Sequence, residues 1–462
     1  MCGVFGIRAP ERDVARVTFF GLFALQHRGQ ESAGIAVSAH GRLTVLRDMG
    51  LVAQVFDEQK LRGLHGDTAI GHTRYSTTGS THWANAQPIV QHGRARTVTL
   101  GHNGNLINAQ ELRDELAADG VSLSTTSDTE VIAALIANDT APLSEAVANA
   151  MGRLEGAFTI VALAEGKLIG FRDPFGFRPL NLGRIDGDPV LASETCALDL
   201  VGATHECEVA PGELVVIDES GVEATQAVPQ AGDGALCLFE FIYLARPDST
   251  LAGVEVHAAR VKMGERLAEE APVDADLVMA APDSGTPAAV GFSRASGIPF
   301  SEGLIKNRYV GRTFIEPDQG LREQGIRLKF NPLSEVAGKR VVLVDDSIVR
   351  GNTMRKIVAL LFDAGAQEVH VRISSPPIVS PCFYGIDFAD EEQLVASSRT
   401  VAEVQEQIGA TSLAYISLEG VQAATMRPAS EFCRACFTRS YPTRIPDGKT
   451  LAKFRFEQSA VR

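Results

Sequence analysis

The stretch that most constrains the fold is Arg340–Thr353, RVVLVDDSIVRGNT, which runs on into the helix-like segment MRKIVALLFDAG. Val341, Val342, Leu343 and Val344 form an unbroken apolar run ending in two acids. Such a run, closed by a turn signal, predicts a strand buried on both faces and hence a central strand of a parallel sheet. The loop after it lies at the carboxyl edge of the sheet, where open α/β folds bind ligands. Its composition suits a sugar phosphate. Asp345 and Asp346 can accept hydrogen bonds from ribose hydroxyls or hold Mg²⁺ through water. Ser347, Gly351 and Thr353 can offer N–H and O–H donors to a phosphate at the start of the next helix. Two adjacent acids alone would signify only an acidic turn.

The unbroken order of hydrophobic strand, paired acids, small polar residues, Gly-x-Thr and helix resembles the phosphoribosylpyrophosphate loop of type I phosphoribosyltransferases. The resemblance implies that Asp345, Asp346, Ser347, Arg350, Gly351 and Thr353 bind that substrate. A second strand, LVMAA, runs into Pro282-Asp283-Ser284-Gly285-Thr286 and then a helix. Backbone N–H groups and hydroxyls there can meet a pyrophosphate or its Mg²⁺, which places Ser284 with Asp345 and Asp346 as the expected magnesium set.

A chain of 462 residues has room for more than one domain, each with its own core. Residues 2–230 read as β-rich, with VFGIR, AGIAVS, LTVLRD, TAIGHTR, TVTLGHNGNL, FTIVALAEGKLIGFR and PVLASE as short strands. Helical periodicity covers Thr18–Gln26, and Thr129–Ile136 continuing through Leu143–Met151, so this half is expected to be a layered α+β domain. VPQAGDGA, residues 228–235, is the linker candidate. Beyond it, residues 231–462 alternate strand and helix, the pattern of an α/β parallel sheet. The segment from Tyr441 is polar and is expected to wrap the surface. A net charge of −14 argues against a nucleic-acid partner and requires any phosphate site to be locally basic. No apolar run approaches the roughly 20 residues of a membrane span, and no signal peptide is evident, so a cytoplasmic location is expected.

Cys2 follows the initiator Met1. Once Met1 is removed, Cys2 carries a thiol and an α-amine of pKa about 7.7–8.0, so one residue supplies both nucleophile and base. A cysteine at position 2 means little alone, but further motifs follow it: Gln26-His27-Arg28-Gly29-Gln30-Glu31-Ser32-Ala33-Gly34, Gly71-His72-Thr73-Arg74-Tyr75-Ser76-Thr77, Gly101-His102-Asn103-Gly104-Asn105 and Ser127-Asp128-Thr129-Glu130. With MCGVFGI they resemble the glutaminase domain of N-terminal-nucleophile (class II) amidotransferases, a fold of αββα layers. The chemistry agrees. Arg74 offers a fork for the α-carboxylate of glutamine, and Asp128 an anion for its α-ammonium. The Asn103 side chain and the Gly104 N–H can form an oxyanion hole for the thioester-forming step. Arg74 and Asp128 could equally be a structural ion pair and Asn103-Gly104 a turn. His27, His72 and His102 are read as structural.

Lys306-Asn307-Arg308-Tyr309-Val310-Gly311-Arg312 is a basic run in an acidic chain. It is either a solvated loop or a flap that closes over pyrophosphate. Written as GLIKNRYVGRTFI, it resembles the mobile loop of glutamine phosphoribosylpyrophosphate amidotransferases, which implies that Lys306, Arg308 and Tyr309 reach the pyrophosphate. Of the seven cysteines, Cys433 and Cys436 form a C-x2-C pair, while Cys237 and Cys382 are isolated. Buried thiols, a disulfide, Zn²⁺ or a 4Fe–4S cluster all fit that spacing. The resemblance implies the cluster, since these four cysteines fall where the iron–sulfur branch of the family has its ligands. Its role would be structural or oxygen-sensing. Cys196 and Cys207 are expected to be buried or unreactive thiols.

A glutaminase joined to a phosphoribosyl-binding domain implies that glutamine-derived ammonia attacks C1 of phosphoribosylpyrophosphate, the first committed step of purine synthesis. The expected products are 5-phosphoribosylamine, pyrophosphate and glutamate. The resemblance further implies an apolar ammonia passage, feedback inhibition by purine nucleotides such as AMP and GMP, and a homotetramer. Only Met1 precedes Cys2, so methionine removal, without propeptide cleavage, is expected to expose the nucleophile. Two alternatives remain at this level: a glutamine amidotransferase with another acceptor, and a non-catalytic phosphoribosylpyrophosphate-binding regulator. The first would need a different sugar domain, and the second predicts a broken nucleophile site.

Overall fold

A computed structural model describes residues 2–39, 41–76, 81–307, 329–388 and 391–445. The first half is built on two antiparallel sheets. One has seven strands, in the spatial order Thr204–Glu208, Asn181–Ile185, Asp188–Ala192, Gly3–Arg8, Thr68–Arg74, Ser32–Ala39 and Arg42–Met49. The other has six, Gly221–Gln226, Glu213–Asp218, Lys167–Arg172, Gly156–Ala164, Thr97–Leu106 and Ile89–His92. Their facing sides share one apolar layer in which Val4, Ala36 and Ile70 meet Val161, Leu168, Leu180, Val215 and Ile217. The helix Val14–Ala24 covers the outer face of the first sheet, and Ala109–Ala118, Thr129–Asn138 and Leu143–Met151 cover the second. This is an αββα sandwich.

The helix expected from Thr18 starts earlier, because the Asp13 side chain accepts from the Arg16 N–H and caps it at Val14. The pattern expected to continue through Leu143 breaks after Asn138, and a second helix opens behind Pro142. Pro142 supplies an extended entry and cannot donate into a continuing helix. FTIVALAEGKLIGFR is a hairpin, turned at Glu165 and Gly166, both with positive φ.

The second half holds a four-stranded parallel sheet in the order Leu277–Ala280, Arg340–Asp345, Glu368–Ile373, Ser412–Tyr415. Val341, Val342, Leu343 and Val344 are fully buried, because helices cover both faces of the sheet. Segment 228–235 is tied to the first half, the Ala231 N–H donating to Pro174 O at 2.8 Å and the Ala235 N–H to Phe175 O at 2.7 Å. Among the described residues no helix is long and apolar enough to cross a membrane.

Candidate active sites

Cys2 sits at the head of Gly3–Arg8, a central strand of the first sheet, which pairs with Thr68–Arg74 so that Gly3 opposes Thr73. That register brings Cys2 to the end of the strand that terminates in Arg74. From the opposite sheet, Thr97–Leu106 delivers Asn103 and Gly104. The Cys2 backbone nitrogen donates to Asn103 Oδ1 at 3.2 Å, and its Sγ lies 3.6 Å from the Tyr75 carbonyl. Asn103 is fully buried, and its Nδ2 has no partner among the described residues. An unsatisfied buried amide is costly. This one belongs to the side chain whose oxygen already accepts from the Cys2 backbone nitrogen.

Burial pushes the Cys2 thiol above its ordinary pKa, against the opposing pull of the hydrogen bond to Tyr75 and the nearby Arg74 charge. The thiol therefore needs a base. Among the described residues the nearby histidines have hydrogen bonds to groups other than the thiol. His72 Nε2 bonds the His102 carbonyl at 3.0 Å, and burial lowers its pKa to about 3. His102 Nε2 lies 3.2 Å from Ala157 O, and His27 Nε2 lies 2.7 Å from Glu194.

Arg74 is buried, with a guanidinium nitrogen 3.8 Å from Glu31, which also accepts from the Ser76 N–H and hydroxyl. Asp128, at the head of Thr129–Asn138, accepts from the Leu106 N–H at 2.9 Å, two residues beyond Gly104. Both charges thus border the strand that carries Asn103. Two residues without an assigned role in the sequence also hold the site. Gln87 bonds both the His102 N–H (2.7 Å) and Thr129 Oγ1 (3.0 Å), locking strand to helix. Arg28 Nε donates to the Cys2 carbonyl at 3.0 Å. Arg28 lay within a recognised motif, whereas Gln87 carried no signal.

The second site lies at the carboxyl edge of the parallel sheet, where Ala280 and Val344 stand side by side. The loops after them touch: a Cβ on Gly285 would lie 2.5 Å from Val344 O, so Ser284 and the paired acids share one edge. Asp345 Oδ1 accepts from the Asp346 N–H at 2.9 Å, and Asp346 Oδ2 from the Ser347 hydroxyl at 2.5 Å. Burial and the adjacent Asp346 charge raise the Asp345 pKa well above the usual carboxylate range. Such crowded carboxylates suit a divalent cation. Gly351, at φ +75°, starts the helix Asn352–Asp363, and no side chain caps the first turn. Arg350 and Thr353 are exposed beside it. Lys306 reaches across to Asp283 at 2.6 Å. Arg308 and Tyr309 lie outside the described residues.

The four cysteines of the expected cluster converge. Cys237 and Cys433 oppose each other where Leu236–Cys237 pairs in parallel with Phe432–Cys433. Cys436 follows in the next helical turn, and Cys382 packs against the same cluster of apolar side chains. Burial pushes the Cys237 thiol up to about 11, and burial with the three neighbouring sulfurs raises Cys436 well above its ordinary value. Among the described residues no three His, Cys, Asp or Glu side chains close tightly enough to hold a metal ion. The donor set, three buried thiols and the half-buried Cys382 from three segments, is one that suits either Zn²⁺ or a 4Fe–4S cluster. Cys196 is buried beside Glu194, and Cys207 is exposed.

The fold and the two sites define a glutamine-dependent amidotransferase joined to a phosphoribosyltransferase. Residues 72–199 match the glutamine amidotransferase domain, and residues 255–374 the phosphoribosyl transferase domain. Amidophosphoribosyltransferase of Synechocystis is 54% identical over 464 residues, covering 99% of this chain and 94% of the relative. That of Bacillus subtilis is 46% identical over 451 residues, covering 96% and 94%. The solved structure of glutamine phosphoribosylpyrophosphate amidotransferase from B. subtilis, complexed with ADP and GMP, superposes with a TM-score of 0.92 at 45% identity, covering 98% of this chain and all of that one. The chain belongs to the amidophosphoribosyltransferase family. It is an enzyme of the first step of purine biosynthesis, transferring glutamine-derived ammonia to C1 of phosphoribosylpyrophosphate with release of pyrophosphate and glutamate.

Proposed function

We propose that Cys2, freed of Met1, is the glutaminase nucleophile and that its own α-amine takes the thiol proton. The observation that carries this reading is the Asn103 amide, whose oxygen holds the Cys2 nitrogen while its buried Nδ2 is left without a partner. That N–H and the Gly104 N–H receive the oxyanion as sulfur adds to the glutamine amide carbon. Arg74 grips the α-carboxylate and Asp128 the α-ammonium. The amine returns the proton to the leaving nitrogen, ammonia departs, and water releases glutamate from the thioester.

Ammonia then displaces pyrophosphate from C1 of the ribose. Asp345 and Asp346 orient the ribose hydroxyls, and Ser347, Arg350, Gly351 and Thr353 hold the 5-phosphate at the helix start. Lys306, with Arg308 and Tyr309, meets the pyrophosphate. Ser284, Asp345 and Asp346 would hold Mg²⁺, which when bound neutralises charge on the leaving group. Cys237, Cys382, Cys433 and Cys436 would hold a 4Fe–4S cluster that pins the C-terminal segment. An apolar passage carrying ammonia between the sites, feedback by purine nucleotides, a homotetramer and a cytoplasmic location complete the proposal.

The test is intact mass and visible absorption of anaerobically purified protein before and after 6-diazo-5-oxonorleucine. Loss of Met1, one adduct and a broad visible band support nucleophile and cluster together. An adduct on a colourless zinc protein keeps the enzyme and removes the cluster. Retained Met1 without adduct removes the nucleophile. An ammonium-trapping enzyme that intercepts the nitrogen stoichiometrically during turnover would remove the passage.

A further inference from the structure

Two isolated charges in apolar sequence, Arg178 in FGFRPLNL and Glu240 in LFEFIYLA, are fully buried and meet each other. Arg178 lies in the glutaminase half. Glu240 lies three residues beyond Cys237. Arg178 Nη1 donates to Glu240 Oε1 at 3.2 Å, and the other face of the same carboxylate takes Arg28, whose Nη2 donates to Oε1 at 2.9 Å and Nη1 to Oε2 at 3.2 Å. Arg28 in turn holds the Cys2 carbonyl. At the other end, Arg178 donates from Nε and Nη2 to the Tyr384 carbonyl at 3.2 and 2.8 Å, while the Tyr384 N–H points at Cys382 Sγ, 3.4 Å away. Tyr384 also stacks on Phe177, with ring centroids 4.1 Å apart. The next residue, Gly385, has φ +102°, and a Cβ there would lie 3.1 Å from the Gly104 carbonyl carbon. Asn105 Nδ2 donates to the Phe383 carbonyl at 3.0 Å.

We infer that Arg178 and Glu240 are positioning residues for the glutaminase nucleophile, tying the Cys2 carbonyl to the Cys382–Tyr384 segment through one continuous buried hydrogen-bonded path. The path crosses between the two halves of the chain three times, so neither end can shift without breaking bonds between buried groups. Two buried guanidiniums share one carboxylate here. Glu194, which accepts from Arg28 and His27, supplies the second negative charge and balances the set. Removing one partner alone would strand an uncompensated charge. The thiol end of the path, Cys382, packs among the other three converging cysteines, so loss of order there is carried to Cys2.

The inference rests on the reading of Cys2 as nucleophile, and its test separates the two. The charge-balanced double variant Arg178→Gln/Glu240→Gln keeps Arg28 paired with Glu194. Cys2 alkylation by 6-diazo-5-oxonorleucine, followed by intact mass, should slow about 10- to 100-fold. Ammonia-dependent pyrophosphate release should stay within about twofold, since the path does not enter the phosphoribosyl site. Cys382→Ser should slow alkylation similarly, and adding it to the double variant should slow it no further. Parental alkylation rates in the double variant, parallel loss of both activities, or full additivity with Cys382→Ser would each overturn the inference. Arg178→Lys keeps the buried charge but cannot fork between Glu240 and Tyr384, and it serves if the double variant does not fold. An unchanged rate there also overturns it. Failure of the unsubstituted protein to alkylate at Cys2 would instead overturn the nucleophile.

Discussion

The two sites are built on opposite plans. Around Cys2 the polar side chains are buried. Strands from two sheets converge, Asn103, Arg74 and Asp128 are buried, and most polar groups are committed to one another. At the phosphoribosyl edge the donors face outward: the first turn of Asn352–Asp363 has no side-chain cap, Arg350 and Thr353 are exposed, and two carboxylates are crowded together. Glutamine is small and brings one charge of each sign, so a site that waits for it can be closed and paired. Phosphoribosylpyrophosphate brings many negative charges, so its site must leave donors unspent until the substrate arrives.

The largest contrast between the sites is expected at Cys2. Cys2→Ala should lower glutamine-dependent synthesis by about 10³-fold or more and leave ammonia-dependent synthesis unaltered. If both activities fall together, the sites are not chemically separate. Asp346→Asn is the mirror image. Pyrophosphate release should drop about 100-fold with either nitrogen source, while Cys2 alkylation proceeds at the parental rate. Asn103→Ala should cost about 10²–10³ in kcat of glutamine hydrolysis, from loss of an oxyanion donor and of the hold on the Cys2 nitrogen. A change confined to KM would argue against that role. Arg74→Lys replaces a fork with a point charge and should raise KM for glutamine roughly tenfold with little change in the ammonia-dependent rate. The smallest effect concerns stability. His72 is held neutral by burial, with its pKa lowered from 6.5 to about 3. Its contribution is therefore present above pH 6.5 and is lost as pH falls towards 3. Acid unfolding of His72→Asn should show a shallower loss of stability across that window, and an unchanged slope would remove His72 as its source.

The legibility of the two sites also differs. The phosphoribosyl loop reads directly from sequence, because Val341 to Asp346 is contiguous and a parallel strand always delivers its following loop to the same edge. The glutaminase residues read as motifs, yet their meeting does not, since Cys2 and Asn103 are joined only by the stacking of two sheets. Arg178 and Glu240 lay furthest from view. Each is a lone charge in an apolar run, and only the fold shows that the partner lies 62 residues away. The helix boundaries at Asp13 and Pro142 were local effects of capping and of a missing N–H, visible in sequence but outweighed by the apolar periodicity. Gln87, which locks His102 to Thr129, sits in a stretch without any pattern.

If one chain releases ammonia at Cys2 and consumes it at C1 of phosphoribosylpyrophosphate, the two half-reactions must run in step. The most direct measurement is the ratio of glutamate to pyrophosphate formed with both substrates present, followed for the parent and for Cys2→Ala supplied with ammonium. The parent should give a ratio of about one, and the variant pyrophosphate without glutamate, as when a nucleophile acts only in the first half-reaction. Glutamate formed in large excess over pyrophosphate, or glutamate still released by Cys2→Ala, would contradict it.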